Sequence, residues 1–237
     1  MGRKRGKIIL VFFIGITLSF LIGLRLRVEG QPLSQEKHLG NVRQLTFGGK
    51  NAEAYFSFDG KKMIFQATRD GFQCDQIFMM NIDGSEIHLV STGKGQTTCA
   101  YFFPDGERIL YSSTHHIQPN CLPPPLRGKR FIWPLHPYEI FTSKIDGSDL
   151  KQLTFTGDYN AEATISKDGK IVFTSLKEGD LDIYVMNLDG SGLKRLTYQN
   201  GYDGGPFFSH DGKMIVYRAY HPKNSNELEE YKDNLLK

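Results

Sequence analysis

Four passages of this chain align on an Asp-Gly pair, and the same apolar pattern surrounds each. Residues 51–65, 98–111, 160–173 and 204–217 run into the pair at Asp59, Asp105, Asp168 or Asp211 and leave it on a short apolar stretch. A second unit is interleaved with the first: residues 77–85, 140–148 and 183–191 each open on Ile-aromatic and end in Asp-Gly-Ser. A third unit closes each copy, at residues 45–47, 89–91, 153–155 and 196–198. Asp-Gly between two β-branched and aromatic runs signals a hairpin, because glycine takes positive φ without a Cβ clash. Each copy therefore supplies four strands, A to D, with the turns between A and B and between C and D fixed by Asp-Gly.

One four-stranded sheet cannot bury both of its faces, so the copies must stack on one another. Short strands repeating about every 40–45 residues predict an all-β fold, a β-propeller. The chain supplies three complete four-stranded blades plus a partial fourth that has only strands A and B. Residues 42–221 hold the repeats, with a leading D strand at 42–47, a linker at 31–41 before them, and a polar tail or short exposed helix at 222–237. With no C strand in the last copy, the chain reads as the N-terminal fragment of a larger propeller. The first Asp-Gly recurs at 59, 105, 168 and 211, so the middle interval exceeds the others by about twenty residues. That excess is an insertion, residues 115–137, between strands B and C of the second copy. Its six prolines exclude a helix and most sheet pairing.

The amino terminus sets the compartment. Arg3, Lys4, Arg5 and Lys7 precede an apolar run at 8–24 without a charge, and Arg25 and Arg27 follow. Residues 1–30 read as a hydrophobic helix, either a signal peptide or a membrane anchor, with the repeats exported to the periplasm or cell surface. The net charge of +3 falls to −2 once the six Lys/Arg and one Glu of residues 1–30 are set aside. No basic stripe for nucleic acid remains.

Export makes a disulfide plausible among the three cysteines. Cys74 and Cys121 both fall between strands B and C of consecutive copies, on one rim, and are the preferred pair. Cys99 lies on an innermost strand, as a small apolar residue.

Turn geometry accounts for the Asp-Gly pairs, so function is expected on the opposite face, which carries the B–C and D–A loops. There the A strands open with Asn51 and Glu53, Thr97 and Thr98, Asn160 and Glu162, and Asp203. These residues converge on the mouth of a central channel. They either hold a cation, a peptide amine or sugar hydroxyls, or solvate a wide water-filled channel. Asp75, Glu139 and Asp182, at or before the C strands, are expected as solvated rim charges. Phe131 and Trp133 in the insertion form either an aromatic lid or a pin holding the loop to the rim. His115 and His221 occupy equivalent places, with His116 and His136 in the insertion, but the pattern calls for no metal and no cofactor. Nucleophile-elbow, zinc-protease and phosphate-loop motifs are missing from the sequence.

The strings Phe58-Asp-Gly-Lys-Lys-Met-Ile-Phe65, Ile183-Tyr-Val-Met-Asn-Leu-Asp-Gly-Ser191 and Leu193-Lys-Arg-Leu-Thr197 resemble the repeat of TolB-like β-propellers. The resemblance covers about residues 41–221. It departs in two ways: Pro-Asp-Gly survives only at Pro104, and the Trp often found in strand A is Phe, Tyr or Ile. It implies a six-bladed propeller in its complete form, exported, which binds envelope proteins through the propeller. The α/β domain that precedes the propeller in TolB has no counterpart in this sequence, so a Tol-system role does not carry over. A non-catalytic module for a protein or peptide partner in the cell envelope is the favoured expectation. The alternative is the propeller portion of an enzyme, either the gating domain of a serine peptidase or a metal-dependent sugar lyase.

Overall fold

The structure, a computed structural model, describes residues 37–123 and 134–235. The chain divides into two units, Met1–Gln44 and Leu45–Lys237. In the first, the described residues 37–44 carry no helix or strand. The hydrophobic segment expected at 8–24 lies outside the described residues, as do Phe131 and Trp133.

The second unit is all-β apart from one helix. Strands β1 (Lys50–Phe56), β2 (Lys62–Thr68), β3 (Gln76–Asn81) and β4 (His88–Leu89) form an antiparallel sheet in sequence order. The second sheet is β5 (Thr97–Phe102), β6 (Arg108–Ser113), β7 (Glu139–Lys144) and β8 (Lys151–Gln152), also in order. The third is β9 (Asn160–Ile165), β10 (Lys170–Ser175), β11 (Asp182–Asn187) and β12 (Lys194–Arg195). A two-stranded sheet of β13 (Tyr202–Phe208) and β14 (Ile215–Tyr220) follows, and then helix α1 (Ser225–Leu235).

The aspartates of the turns act through their side chains as well as their backbone. Asp59, Asp105 and Asp211 accept the N–H two residues on at 3.1, 2.9 and 3.2 Å, closing Asx turns. In the C–D turns, Asp83, Asp146 and Asp189 each accept the following Ser N–H at 2.9 Å. The serine two residues ahead of the first turn completes the hairpin. Ser57 and Ser209 donate to Asp59 and Asp211 at 2.7 and 2.6 Å and accept a backbone N–H from the returning strand. These hydroxyl bonds hold the Asp59 and Asp211 carboxyls below the usual carboxylate range.

Strands B and C carry apolar residues on both faces because each sheet is covered on both. Ile64, Ile77 and Met79 meet Ala100, Phe102, Ile109, Tyr111 and Phe141 between the first and second sheets. Phe103, Leu110 and Ile140 meet Ala163, Ile165, Ile171, Phe173, Tyr184 and Met186 between the second and third. The first sheet's other face buries Phe65, Ala67, Phe78 and Met80, with Leu45 packed against it. Residues 42–47 form no strand, contrary to the sequence expectation. The D strands of the three sheets pair with C strands of their own sheets, and among the described residues no C strand stands free to take this segment.

The D strands are short, and a hydroxyl caps each. Ser91, Thr154 and Thr197 accept the N–H of Ile77, Ile140 and Ile183 at 3.1, 2.8 and 2.9 Å. The Thr of the Leu-Thr-aromatic motif makes this cap in the second and third sheets, and Ser91, one residue later in its copy, makes it in the first. Helix α1 opens with a reciprocal cap, Asn224 accepting the Glu227 N–H at 3.0 Å while Glu227 accepts from the Asn224 amide at 2.9 Å. Tyr231 on α1 donates to Asp180 at 2.5 Å and so ties the helix to the third sheet's B–C loop. Cys74 and Cys121 form a disulfide with Cα atoms 5.8 Å apart, joining the B–C loops of the first two sheets. The N–H of Gly95 donates to the Pro119 carbonyl at 2.8 Å nearby.

Candidate functional site

The A strands are neighbours in space: β5 touches β1 and β9, and β13 touches β9. The pairing of every A strand with its B strand breaks at the same place. The breaks lie between Ala52 and Tyr55, Thr98 and Tyr101, Ala161 and Thr164, and Gly204 and Phe207. Within each break one residue takes a left-handed backbone: Glu53 (φ 50°), Cys99 (φ 50°), Glu162 (φ 57°) and Gly205 (φ 62°). Each stands six residues ahead of the aspartate of its first turn. Only one of the four is the glycine that such a bulge tolerates without strain. The other three hold a conformation costing on the order of 1 kcal/mol or more each, of the kind that collects at binding sites.

These bulges surround a cavity of about 240 Å³, whose walls include Glu53, Cys99, Glu162, Gly205 and Arg218. Two residues past three of the bulges stand Tyr55, Tyr101 and Phe207. Their ring centroids lie 5.4 Å (Tyr55–Tyr101), 5.6 Å (Tyr101–Phe207) and 6.0 Å (Tyr55–Phe207) apart. At this level the A strands meet through these rings, Tyr55 and Phe207 stacked and Tyr101 tilted or edge-on to both.

The bulges also take N–H groups out of the ladders, and the preceding blade supplies their acceptors. The Cys99 N–H donates to Gln66 Oε1 at 3.0 Å. The Gly205 N–H donates to Glu162 Oε2 at 2.8 Å and to Thr174 Oγ1 at 3.2 Å. Glu162 is the hub, since its carboxylate also accepts from Thr174 Oγ1 at 2.7 Å and from Arg218 at 3.1 Å. Arg218 donates as well to the Tyr202 hydroxyl at 2.9 Å. Across the cavity, Tyr55 donates to the exposed Glu53 carboxylate at 2.6 Å.

The electrostatics follow from this enclosure. Burial and the Glu53 carboxylate push the Tyr55 hydroxyl far above its ordinary range. Burial pushes the Cys99 thiol up to about 12, with the charges of Glu53 and Glu162 adding to the effect. Cys99 is therefore held as a thiol, not as a nucleophilic thiolate. Two carboxylates and one guanidinium leave the cavity net negative.

The residues singled out in the sequence are not all here. Glu53 and Glu162 line the cavity. Thr98 is buried and donates to Gln66 Oε1 at 2.8 Å. Asn51 is exposed, its amide on the Gly48 carbonyl at 3.0 Å. Asn160 is enclosed, with its amide nitrogen on Thr156 at 2.6 Å and on Glu139 at 3.1 Å, and its oxygen accepting from Ser175 at 2.8 Å. Asp203, also buried, bonds to His221 Nε2 at 2.9 Å.

Glu139 and Asp182 are 1 % and 0 % exposed and so are not solvated rim charges. Glu139 accepts the Gly157 N–H at 2.6 Å and Asp182 pairs with Arg195 at 2.6 Å. Asp75, half-buried, accepts from Gln66 at 3.0 Å and from Thr68. These carboxylates fasten loops and strand ends, for which a solvated position would serve nothing. The His115 ring packs against Phe141, tilted by 42° at a centroid distance of 4.2 Å. No group of three or more His, Cys, Asp or Glu is placed to hold a metal ion among the described residues. Sequence reasoning missed Tyr55, Arg218 and the place of Cys99 in the cavity wall. The constant six-residue offset ahead of each turn was the signal that marked Cys99.

No helix among the described residues is long and apolar enough to cross a membrane. No protein-family model matches the chain, and no curated protein matches it. Solved structures do match. A TolB structure from Agrobacterium tumefaciens superposes with a TM-score of 0.58 at 21% identity, over 73% of this chain and 55% of that one. TolB from Acinetobacter baumannii gives 0.56 at 26% identity, over 74% of this chain and 40% of that one. An oligogalacturonate lyase in complex with manganese gives 0.53 at 15% identity, over 77% and 50%. The chain spans about half the length of these structures, and it has a TolB-like, propeller-type fold.

Proposed function

We propose that this chain is a non-catalytic binding module of an exported propeller, which takes a segment of a protein or peptide partner in the cell envelope at the cavity between its A strands. One observation carries this reading: three blades accept left-handed strain at a non-glycine residue in the same place, and the product is one net-negative cavity floored by aromatic rings. Carboxylates above aromatic faces suit a cation, so the partner presents a basic side chain or an amino terminus. The TolB-like fold supports the binding role, and the charged, apolar amino-terminal segment supports export. Phe131 and Trp133 are proposed to cover the bound segment from the insertion.

The enzyme reading has weaker support. Its lyase form asks His115, His221 and the cavity carboxylates to share a metal, whereas His115 packs against Phe141 and His221 is bonded to Asp203.

Selection from a random peptide display library tests the proposal, with counter-selection on a Glu53→Gln/Glu162→Gln variant. Enriched peptides should carry a basic residue or free amine and lose affinity on the variant by tenfold or more. Enrichment that ignores the two substitutions would end the proposal.

A further inference from the structure

The three complete sheets treat the aromatic pair at their B and C strands differently. Pairing register aligns Phe65 with Phe78, Tyr111 with Phe141, and Phe173 with Tyr184. In the first sheet the Arg69 guanidinium sits over the Phe78 ring at 5.6 Å. In the second, His115 packs against Phe141 at a tilt, centroids 4.2 Å apart, and His116 lies at 5.8 Å. The equivalent residue of the third sheet is Lys177, which bonds Glu178 at 2.9 Å instead.

What remains over the third pair is a cavity of about 210 Å³, bounded by Leu153, Phe155, Phe173, Tyr184, Met186 and Leu193, with the polar Asn160, Ser175 and Lys177 also on its wall. It shares no residue with the cavity at the bulges. Tyr184 is 2 % exposed, and its hydroxyl, buried, has no hydrogen-bond partner among the described residues. The equivalent positions carry phenylalanine, so packing in this fold does not require that hydroxyl. Phe155, at the cavity's edge, is 75 % exposed.

We propose that this cavity is a ligand pocket for a small aromatic carbonyl compound, with the Tyr184 hydroxyl donating to the carbonyl oxygen. The size fits: an apolar cavity of about 150 Å³ takes a benzene ring, so this one takes the ring and a short substituent. The chemistry fits too, because a buried donor without an acceptor gains a full hydrogen bond when a ligand brings one. Leu153, Phe155, Phe173, Met186 and Leu193 supply apolar contact for the ring itself.

The test uses the whole protein with its disulfide intact and two probes, acetophenone and toluene, followed by NMR of labelled Tyr and Phe rings. Both probes should shift Phe173, Tyr184 and Phe155. Tyr184→Phe reproduces the residue of the other two sheets and should fold. It should weaken acetophenone about tenfold and leave toluene unchanged. Its Tm without ligand should equal or exceed that of the parent. Unmoved Tyr184 and Phe173 resonances at the solubility limit of acetophenone would overturn the proposal. So would an unchanged preference for acetophenone over toluene in Tyr184→Phe, or a fall in its Tm.

Discussion

Asn160 and Asn51 open the same tetrapeptide, Asn-Ala-Glu-Ala, at equivalent places in two blades, yet removing their side chains should have very different consequences. The Asn160 amide, 1 % exposed, contacts Thr156, Glu139, the Asp158 carbonyl and the Tyr138 carbonyl, and its oxygen accepts from Ser175. Its two N–H hydrogens serve two of those four acceptors at a time, so three bonds operate at once. Two neutral bonds at about 1 kcal/mol each and one to the buried Glu139 carboxylate at about 2 kcal/mol give a loss of about 4 kcal/mol for Asn160→Ala. Asn51→Ala removes one exposed bond to Gly48 and should cost less than about 0.5 kcal/mol. Urea unfolding of both variants, read as midpoint shifts at unchanged slope, gives the two numbers directly. A Ser175→Ala double-mutant cycle should show coupling with Asn160 of about 1 kcal/mol. Costs below about 1 kcal/mol for Asn160→Ala, or equal costs for the two variants, would refute the structural role assigned to Asn160 and return it to the ligand-binding set.

Three further outcomes are expected. Burial, helped by the charge of His116, lowers the His115 pKa from 6.5 to about 4. The unfolded chain therefore binds a proton there that the folded chain refuses, and stability falls as pH drops through that window. His115→Phe, which keeps the contact with Phe141, should flatten the dependence of Tm on pH across it; an unchanged slope would contradict the assignment. At lower pH the turn aspartates take over. Asp59, Asp146, Asp168, Asp189 and Asp211 all have lowered pKa values, led by hydroxyl bonds from neighbouring serines, so their contribution is present above 3.8 and is lost as pH falls through their folded values. Ser57→Ala and Ser209→Ala should blunt that acid transition in far-ultraviolet circular dichroism. Finally, the Cys74–Cys121 bond spans 47 residues, for which chain entropy predicts about 4 kcal/mol, so the Cys74→Ser/Cys121→Ser double variant should unfold at markedly lower urea.

The hairpins and sheets were legible because their signals are local. An Asp-Gly turn needs positive φ at glycine, and the runs beside it are long enough for only one strand each. The site was legible in part. Glu53 and Glu162 show in the sequence as carboxylates near the start of strand A, but nothing local tells that a bulge turns them toward one cavity. Nor does the sequence distinguish Asn51 from Asn160. The difference comes from the neighbouring blade, which brings Glu139 against Asn160, whereas β1 is exposed along most of its length. Glu139 and Asp182 looked solvated because they sit at strand ends. Their burial depends on loops and D strands far along the chain, such as the Gly157 N–H and Arg195. Residues 42–47 carry the D-strand motif but form no strand, since a strand also needs a partner edge.

The proposed role of the protein rests on the bulge-lined cavity being the place where a partner binds. A crystal structure of the protein with an enriched peptide tests it most directly. A basic side chain or amino terminus of the peptide should lie between Glu53 and Glu162, above the rings of Tyr55, Tyr101 and Phe207. A peptide seated elsewhere, with that cavity unchanged, would contradict it.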